Sequence, residues 1–184
     1  MDFNRDLTRG IDAKSFVKNL KLVRQLTSQN FLNVLNFSLN MPALYYIDSC
    51  IWLNLFKKEV SKQGKLFWKI TENFLKDVET NQSQIIVSTI VLKEIQFALP
   101  NEFKKILEFF EQRHYIQLIK TINEDYIQAR KWEPQTAISF YDCLHAAIAK
   151  RTKAILISRD AGLLEFAKKH ITAVKPEESL FIQY

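Results

Sequence analysis

Four carboxylates stand where the flanking sequence could turn them into a metal site. Asp48 closes the apolar run Leu44-Tyr-Tyr-Ile47, and Asp160 comes just after the apolar run Ala154 to Ile157. Asp142 falls in the first turn of a helical stretch, and Glu94 lies about two turns into another. On a helical wheel of roughly 100° per residue, Glu94 is about 60° from Val91, so it flanks the buried stripe Val91, Ile95 and Ala98. Gathered at one edge, such acids would repel one another unless a cation joined them or some took up protons. An all-oxygen set suits Mg²⁺ or Mn²⁺. Such an ion could bind a phosphodiester oxygen, lower the pKa of a water and stabilise the leaving oxygen, so no side-chain nucleophile is required. Taken singly, each acid also has a structural reading. Asp48 and Asp160 could cap helices, Ser139-Phe-Tyr-Asp142 could be a capping box, and Glu94 could be an ordinary solvated residue.

The elements that must position these acids read as a parallel α/β sheet. Strands are expected at Ala43 to Ile47, Gln84 to Val87, Tyr115 to Ile119, Ala154 to Ile157 and Thr172 to Val174. Helices are expected between them, at about Ser49 to Val60, Leu66 to Glu79, a stretch after Ser88 stopped by Pro100, Asn101 to Gln112, Glu124 to Trp132, Phe140 to Arg151 and Asp160 to Lys169. Short apolar strands alternating with helices indicate about five parallel strands with helices on both faces. Ligands of such sheets bind beyond the carboxyl ends of the strands, which is where the acids fall. Residues 11 to 39 read as helical, an N-terminal extension ahead of a main domain at 41–184.

The bulk composition narrows the chemistry. The chain has 184 residues, 47% hydrophobic and 25% charged, enough for one domain with a substantial core and too apolar throughout for disorder. Its three glycines, Gly10, Gly64 and Gly162, cannot build a glycine-rich phosphate cradle. His114, His145 and His170 form no zinc spacing. The formal net charge of +6 favours polyanionic partners, weakly by itself. Residues 1–40 carry half of it, six Lys and Arg against three Asp. Cys50 and Cys143 form no CxxC pair, the first residues lack a signal-peptide pattern, and the apolar stretch Phe31 to Phe56 is broken by polar residues. A cytoplasmic protein without a membrane span is the expectation.

In its motifs the chain resembles the PIN domain family, and within it the VapC-type toxins of toxin–antitoxin pairs. Tyr46-Ile-Asp48-Ser-Cys-Ile-Trp-Leu is similar to the family's first motif, and Ser88-Thr-Ile-Val-Leu-Lys-Glu94-Ile to its second. Ser139-Phe-Tyr-Asp142-Cys-Leu-His-Ala-Ala-Ile-Ala149 resembles the third, and Ile157-Ser-Arg-Asp160-Ala-Gly-Leu the fourth. The resemblance covers about residues 43 to 175. It implies a PIN-like parallel sheet, Mg²⁺- or Mn²⁺-dependent endoribonuclease activity, frequent homodimers and a cognate antitoxin. By the same resemblance Asp48, Glu94, Asp142 and Asp160 are the catalytic, metal-binding acids, with Ser88 and Ser158 hydrogen-bonding behind them. Two features depart from the family. Residues 1–40 precede its usual start, as a helical arm or a mis-assigned start, and the segment between Lys57 and Gln84 is longer, expected to add a helical hairpin.

Other residues are weaker candidates. His145, one turn after Asp142, could touch substrate or a water, but a satisfied structural histidine is the better expectation. Cys50 and Cys143 adjoin proposed site acids and are expected to be small buried helix residues. Two basic runs could steer an RNA backbone: Lys57, Lys58, Lys62 and Lys65, then Lys150, Arg151, Lys153 and Arg159. Tyr141 could stack a base. For any one of these cations, a solvated helix face is the slightly better explanation. The rival functional readings are a non-catalytic RNA- or protein-binding module on the same fold and a nuclease of RNA maturation or DNA handling.

Overall fold

A computed structural model describes residues 42–181, with side chains as far as Ser179. The helices expected within residues 11–39 and the N-terminal arm lie outside the described residues. The elements follow in the order β1 (Leu44–Ile47), α1 (Ser49–Phe56), α2 (Phe67–Thr80), β2 (Gln84–Ser88), α3 (Thr89–Ala98), α4 (Phe103–Glu111) and β3 (Ile116–Ile119). Next come α5 (Asn123–Trp132), α6 (Phe140–Thr152), β4 (Ile155–Ile157), α7 (Ala161–Ala167) and β5 (Ala173–Val174). Short 3₁₀ turns occupy Glu133–Gln135 and Pro176–Phe181.

All strand pairings are parallel, in the spatial order β3-β2-β1-β4-β5. The chain builds outward from β1 through β2 to β3. It then returns to lay β4 on the other side of β1. The strand order therefore reverses between β1 and β4, and a crevice opens beyond their carboxyl ends, the usual ligand position of an open α/β sheet. The central strands are apolar on both faces because helices flank the sheet. Tyr46 and Ile47 of β1, Ile85 to Ser88 of β2 and all of β4 are buried. The edges are blunted in two ways: β5 has two residues, and β3 exposes Gln117 and Leu118.

Helix α6 has no polar face over its middle turns, since Cys143 to Ala149 are all buried. That burial explains its small side chains: Ala146, Ala147 and Ala149 let the helix lie close to its neighbours. An aromatic cluster joins α1 to α4, with Trp52 and Phe110 edge to face at 4.8 Å.

Helix α1 ends four residues earlier than its sequence suggests. Lys58 turns left-handed at φ 52°, Glu59 N–H bonds back to Asn54, and Val60 pairs with Leu66 across a tight loop. The long segment before β2 is thus the single helix α2, entered through that loop, and α1 has no run through the lysines. Helices α2 and α6 end in the same manner, on Gln82 (φ 54°) and Lys153 (φ 55°), positions where glycine is the usual residue. A chain with three glycines closes its helices with long polar side chains instead. Among the described residues no helix is long and apolar enough to cross a membrane.

Candidate metal centre

Asp48 is the first residue beyond β1, and its N–H still bonds to Ile157 of β4, so it sits at the point where the strand order reverses. Its backbone is extended and precedes α1, yet its side chain makes no cap hydrogen bond. The carboxylate turns instead into the crevice, with the residue 5% exposed. Oδ2 accepts from Ser158 Oγ at 2.7 Å and from the Cys50 thiol at 3.0 Å. Oδ1 faces Ser49 Oγ at 3.4 Å and His145 Nε2 at 3.7 Å.

Glu94 projects from α3 with its side chain 29% exposed, consistent with a position flanking the buried stripe. Its Oε2 lies 3.0 Å from His145 Nε2. Among the described residues, Asp48, Glu94 and His145 bring one potential ligand atom each to within 4.8 Å of one another. His145 comes from α6 and is 2% exposed. Burial alone would push its pKa down. The hydrogen bond to Glu94 and the charges of Asp48, Glu94 and Asp142 more than offset this, and the pKa stands above the ordinary imidazole value.

The other two acids are engaged differently. Asp142 is half-buried in a capping box: its Oδ2 accepts from Ser139 Oγ at 2.7 Å and Ser139 N–H at 3.2 Å, while its own N–H donates to Ser139 Oγ. Its charge nonetheless reaches His145. Asp160 is exposed and caps α7 through Leu163 N–H at 2.7 Å. Its own N–H is held by Ser158 Oγ at 3.0 Å, so one serine ties Asp160 to Asp48. A Cβ on Gly162 would come within 3.3 Å of Asp160 Oδ1, which makes the missing side chain part of that arrangement. The structure thus brings Asp48 and Glu94 together around His145. Asp142 and Asp160 serve as helix caps in addition to any other role.

Of the two serines, Ser158 touches Asp48 directly. Ser88 meets no acid: it caps α3 through Val91 N–H and shares a 2.8 Å hydrogen bond with the Tyr46 hydroxyl. That hydroxyl in turn lies 2.8 Å from His145 Nδ1. Burial holds the Tyr46 phenol well above its ordinary pKa, so it remains a neutral donor and acceptor. Sequence reasoning missed Tyr46, although a signal existed: residues 46 and 48 share one face of a strand. His145 stands in the sequence as a candidate but is expected to be a satisfied structural histidine; its hydrogen bond to Glu94 joins elements that local spacing does not connect.

Cys50 is half-buried and Cys143 is buried; both thiols are free. Burial first, and then Asp48, push the Cys50 pKa far up, which keeps it a protonated donor with little nucleophilic character. Several expected steering cations have partners within the domain, exposed or not. Arg151 forks onto buried Asp125 at 2.6 and 3.0 Å. Arg159, 13% exposed, reaches Asn54 and Glu177 and lies over the Phe67 ring. Lys65 bonds to Glu177 at 2.7 Å, and Lys150 covers Trp132. Lys57, Lys58, Lys62 and Lys153 are exposed.

Several solved structures share this fold. A toxin–antitoxin complex from Klebsiella pneumoniae is 14% identical, with 72% of this chain and 97% of that chain covered and a TM-score of 0.53. VapBC2 from Rickettsia felis, bound to a DNA fragment from its promoter, is 18% identical over 72% and 98%, with a TM-score of 0.54. FitAcB from Neisseria gonorrhoeae is 14% identical over 72% and 98%, with a TM-score of 0.51. No curated protein matches the chain at a significant level. The family model for the PIN domain matches residues 45–169, a stretch that runs from β1 to just beyond α7 and contains all four acids, and the chain belongs to the PIN domain family.

Proposed function

We propose that the protein is a Mg²⁺- or Mn²⁺-dependent endoribonuclease and the toxin of a toxin–antitoxin pair. The observation that carries the reading is Asp48, a buried carboxylate at the reversal of strand order that caps no helix and faces Glu94 across a gap of ligand dimensions. Asp48 and Glu94 offer carboxylate oxygens, which suit a hard divalent cation, beside His145 Nε2, and Glu94, 29% exposed, leaves one side open. Asp142 and Asp160 complete the acidic set in this reading, as the family resemblance implies.

A cation held there would supply a Lewis acid for the phosphodiester and an activated water. The protein's own groups do the positioning. Ser158 and Cys50 fix the Asp48 carboxylate through Oδ2, and His145 fixes Glu94 through Oε2. Buried Tyr46 and the apolar strands exclude bulk water behind the acids, which strengthens every charge interaction in front of them. The toxin–antitoxin assemblies of the structural neighbours support an antitoxin partner, and a homodimer is proposed on the family resemblance.

The test is cleavage of total cellular RNA by the purified chain, freed of any co-purified antitoxin, with Mg²⁺ or Mn²⁺ and again with EDTA. Asp48→Asn, prepared identically, is the control, and DNA is run in parallel. Cation-dependent RNA cleavage lost in the variant supports the proposal. Cleavage surviving the substitution overturns the site. Preference for DNA overturns the substrate, and no cleavage of either favours a binding module.

A further inference from the structure

Behind the acids runs a hydrogen-bonded chain that the reaction outlined above does not require. It passes from Ser88 Oγ to the Tyr46 hydroxyl at 2.8 Å, from there to His145 Nδ1 at 2.8 Å, and from His145 Nε2 to Glu94 Oε2 at 3.0 Å. Its members come from β1, the end of β2, α3 and α6, up to 99 residues apart in sequence. Ser88 and Tyr46 are fully buried and His145 nearly so. We propose that His145 is a positioning residue for Glu94, held in register by Tyr46 and Ser88. This inference rests on the metal-site reading above.

The donor and acceptor count supports it. A carboxylate only accepts, so the 3.0 Å contact requires a hydrogen on Nε2. Nδ1 faces a phenol, which can either donate or accept, so the ring is satisfied with or without a second proton. Ser88 Oγ accepts from Val91 N–H and gives its own hydrogen to Tyr46, which donates to Nδ1 of the neutral ring, so Ser88, Tyr46 and His145 are each satisfied. Glu94 is the one member that reaches solvent, on a side chain with three rotatable bonds. His145 is what selects a single orientation for it. The same nitrogen lies 3.7 Å from Asp48 Oδ1, beyond hydrogen-bond range, so the ring stands beside both acids while bonding to Glu94. A direct ligand role for His145 would need a lone pair on the nitrogen that Glu94 occupies.

The experiment is Mn²⁺ titration of the full chain, followed by the loss of the free-ion EPR signal. Variants are Asp48→Asn, His145→Leu, His145→Gln and Tyr46→Phe, each checked for fold by circular dichroism. Removing an outer partner of a metal-holding residue weakens binding about 10–100-fold, and that loss is expected for His145→Leu. His145→Gln retains an N–H donor of similar reach and is expected to stay within about threefold of the unmodified protein. Tyr46→Phe keeps the ring in the core but leaves Nδ1 without its partner, and an intermediate loss is expected. Electron spin-echo spectra of bound Mn²⁺ should lack imidazole nitrogen coupling. Unchanged affinity in folded His145→Leu, equal losses in the Leu and Gln variants, or a nitrogen coupling in the unmodified protein would each overturn the inference. If His145→Leu does not fold, unchanged affinity in Tyr46→Phe overturns it. Failure of the unmodified protein to bind Mn²⁺ would overturn the metal reading itself, and this inference with it.

Discussion

Asp48→Asn should alter the stability of the cation-free protein in opposite directions at low and high pH. The carboxylate's two shorter hydrogen bonds come from Ser158 and Cys50; a third, from Ser49, is 3.4 Å long and contributes little to the sum. Making each of the two shorter bonds neutral costs about 1 kcal/mol, the difference between typical charged and uncharged bonds. Two Coulomb contributions act alongside. Asp48 and Glu94 present oxygens no more than 4.8 Å apart. At an effective dielectric of about 20 their repulsion is roughly 3.5 kcal/mol, and the substitution removes it. His145 Nε2 lies 3.7 Å from Asp48. When the imidazole is charged, their attraction, roughly 4.5 kcal/mol on the same scale, is lost as well. The direction with pH follows from His145, whose folded pKa is raised. Its stabilising contribution is fully present below the ordinary imidazole value and disappears as pH rises through the folded value. At about pH 6 the variant should therefore be less stable by about 3 kcal/mol, and at a pH above the raised folded value of His145 more stable by about 1.5 kcal/mol. Urea unfolding in EDTA at both pH values measures this. An equal change at the two values, or a larger loss at high pH, would refute the electrostatic account of the site.

Three further perturbations probe the frame around the centre. Arg151→Met should cost about 2–4 kcal/mol in urea unfolding, because it strands the 1%-exposed Asp125 with Ile122 N–H as its remaining partner, and should leave Mn²⁺ affinity unchanged. Glu177→Gln should flatten the acid limb of the stability curve. Burial would raise this carboxyl's pKa, but Arg159 and Lys65 hold it at about 2, so its contribution is present above the ordinary carboxylate value near 4.5 and is lost as pH falls from there toward about 2. A Gln variant with an unaltered acid limb would show that the Arg159 latch contributes nothing. Lys153→Gly, at an exposed left-handed position, should raise stability by about 1 kcal/mol in the same assay, and a loss there would mean the lysine packs as well as caps.

Much of the frame was legible because its strands are continuous apolar runs between helical segments. Ile155–Ile157 and Ile85–Ser88 are buried as such runs must be, and parallel pairing followed from their alternation with helices. What was not legible turns on contacts between distant elements. The end of α1 depends on Lys58 adopting a conformation that its residue type does not announce. His145 and Arg151 both sit on α6, within a turn or two of each other. Only the packing of β1, α3 and α5 against that helix decides that one joins the acids while the other pairs with Asp125. Local spacing carries no information on that choice.

Asp48 shows how the two kinds of reading combine. In sequence, an Asp between a strand and a helix supports a cap and a ligand equally, since both need an acceptor at that point. The structure separates them, because a cap would accept from the backbone N–H groups of the first turn of α1, and Asp48 accepts from side chains instead, those of Ser158, Cys50 and Ser49. Asp160, at the equivalent place before α7, makes that turn and is exposed. A carboxylate that is 5% exposed beside a second acid, and that forgoes capping, carries a burial cost and a like-charge repulsion that a helix cap would not. Departures of this kind from local rules concentrate where function imposes them. The contrast between Asp48 and Asp160 therefore argues for a cation site centred on Asp48 and Glu94, and it would fail if Asp48→Asn bound Mn²⁺ as tightly as the unmodified chain.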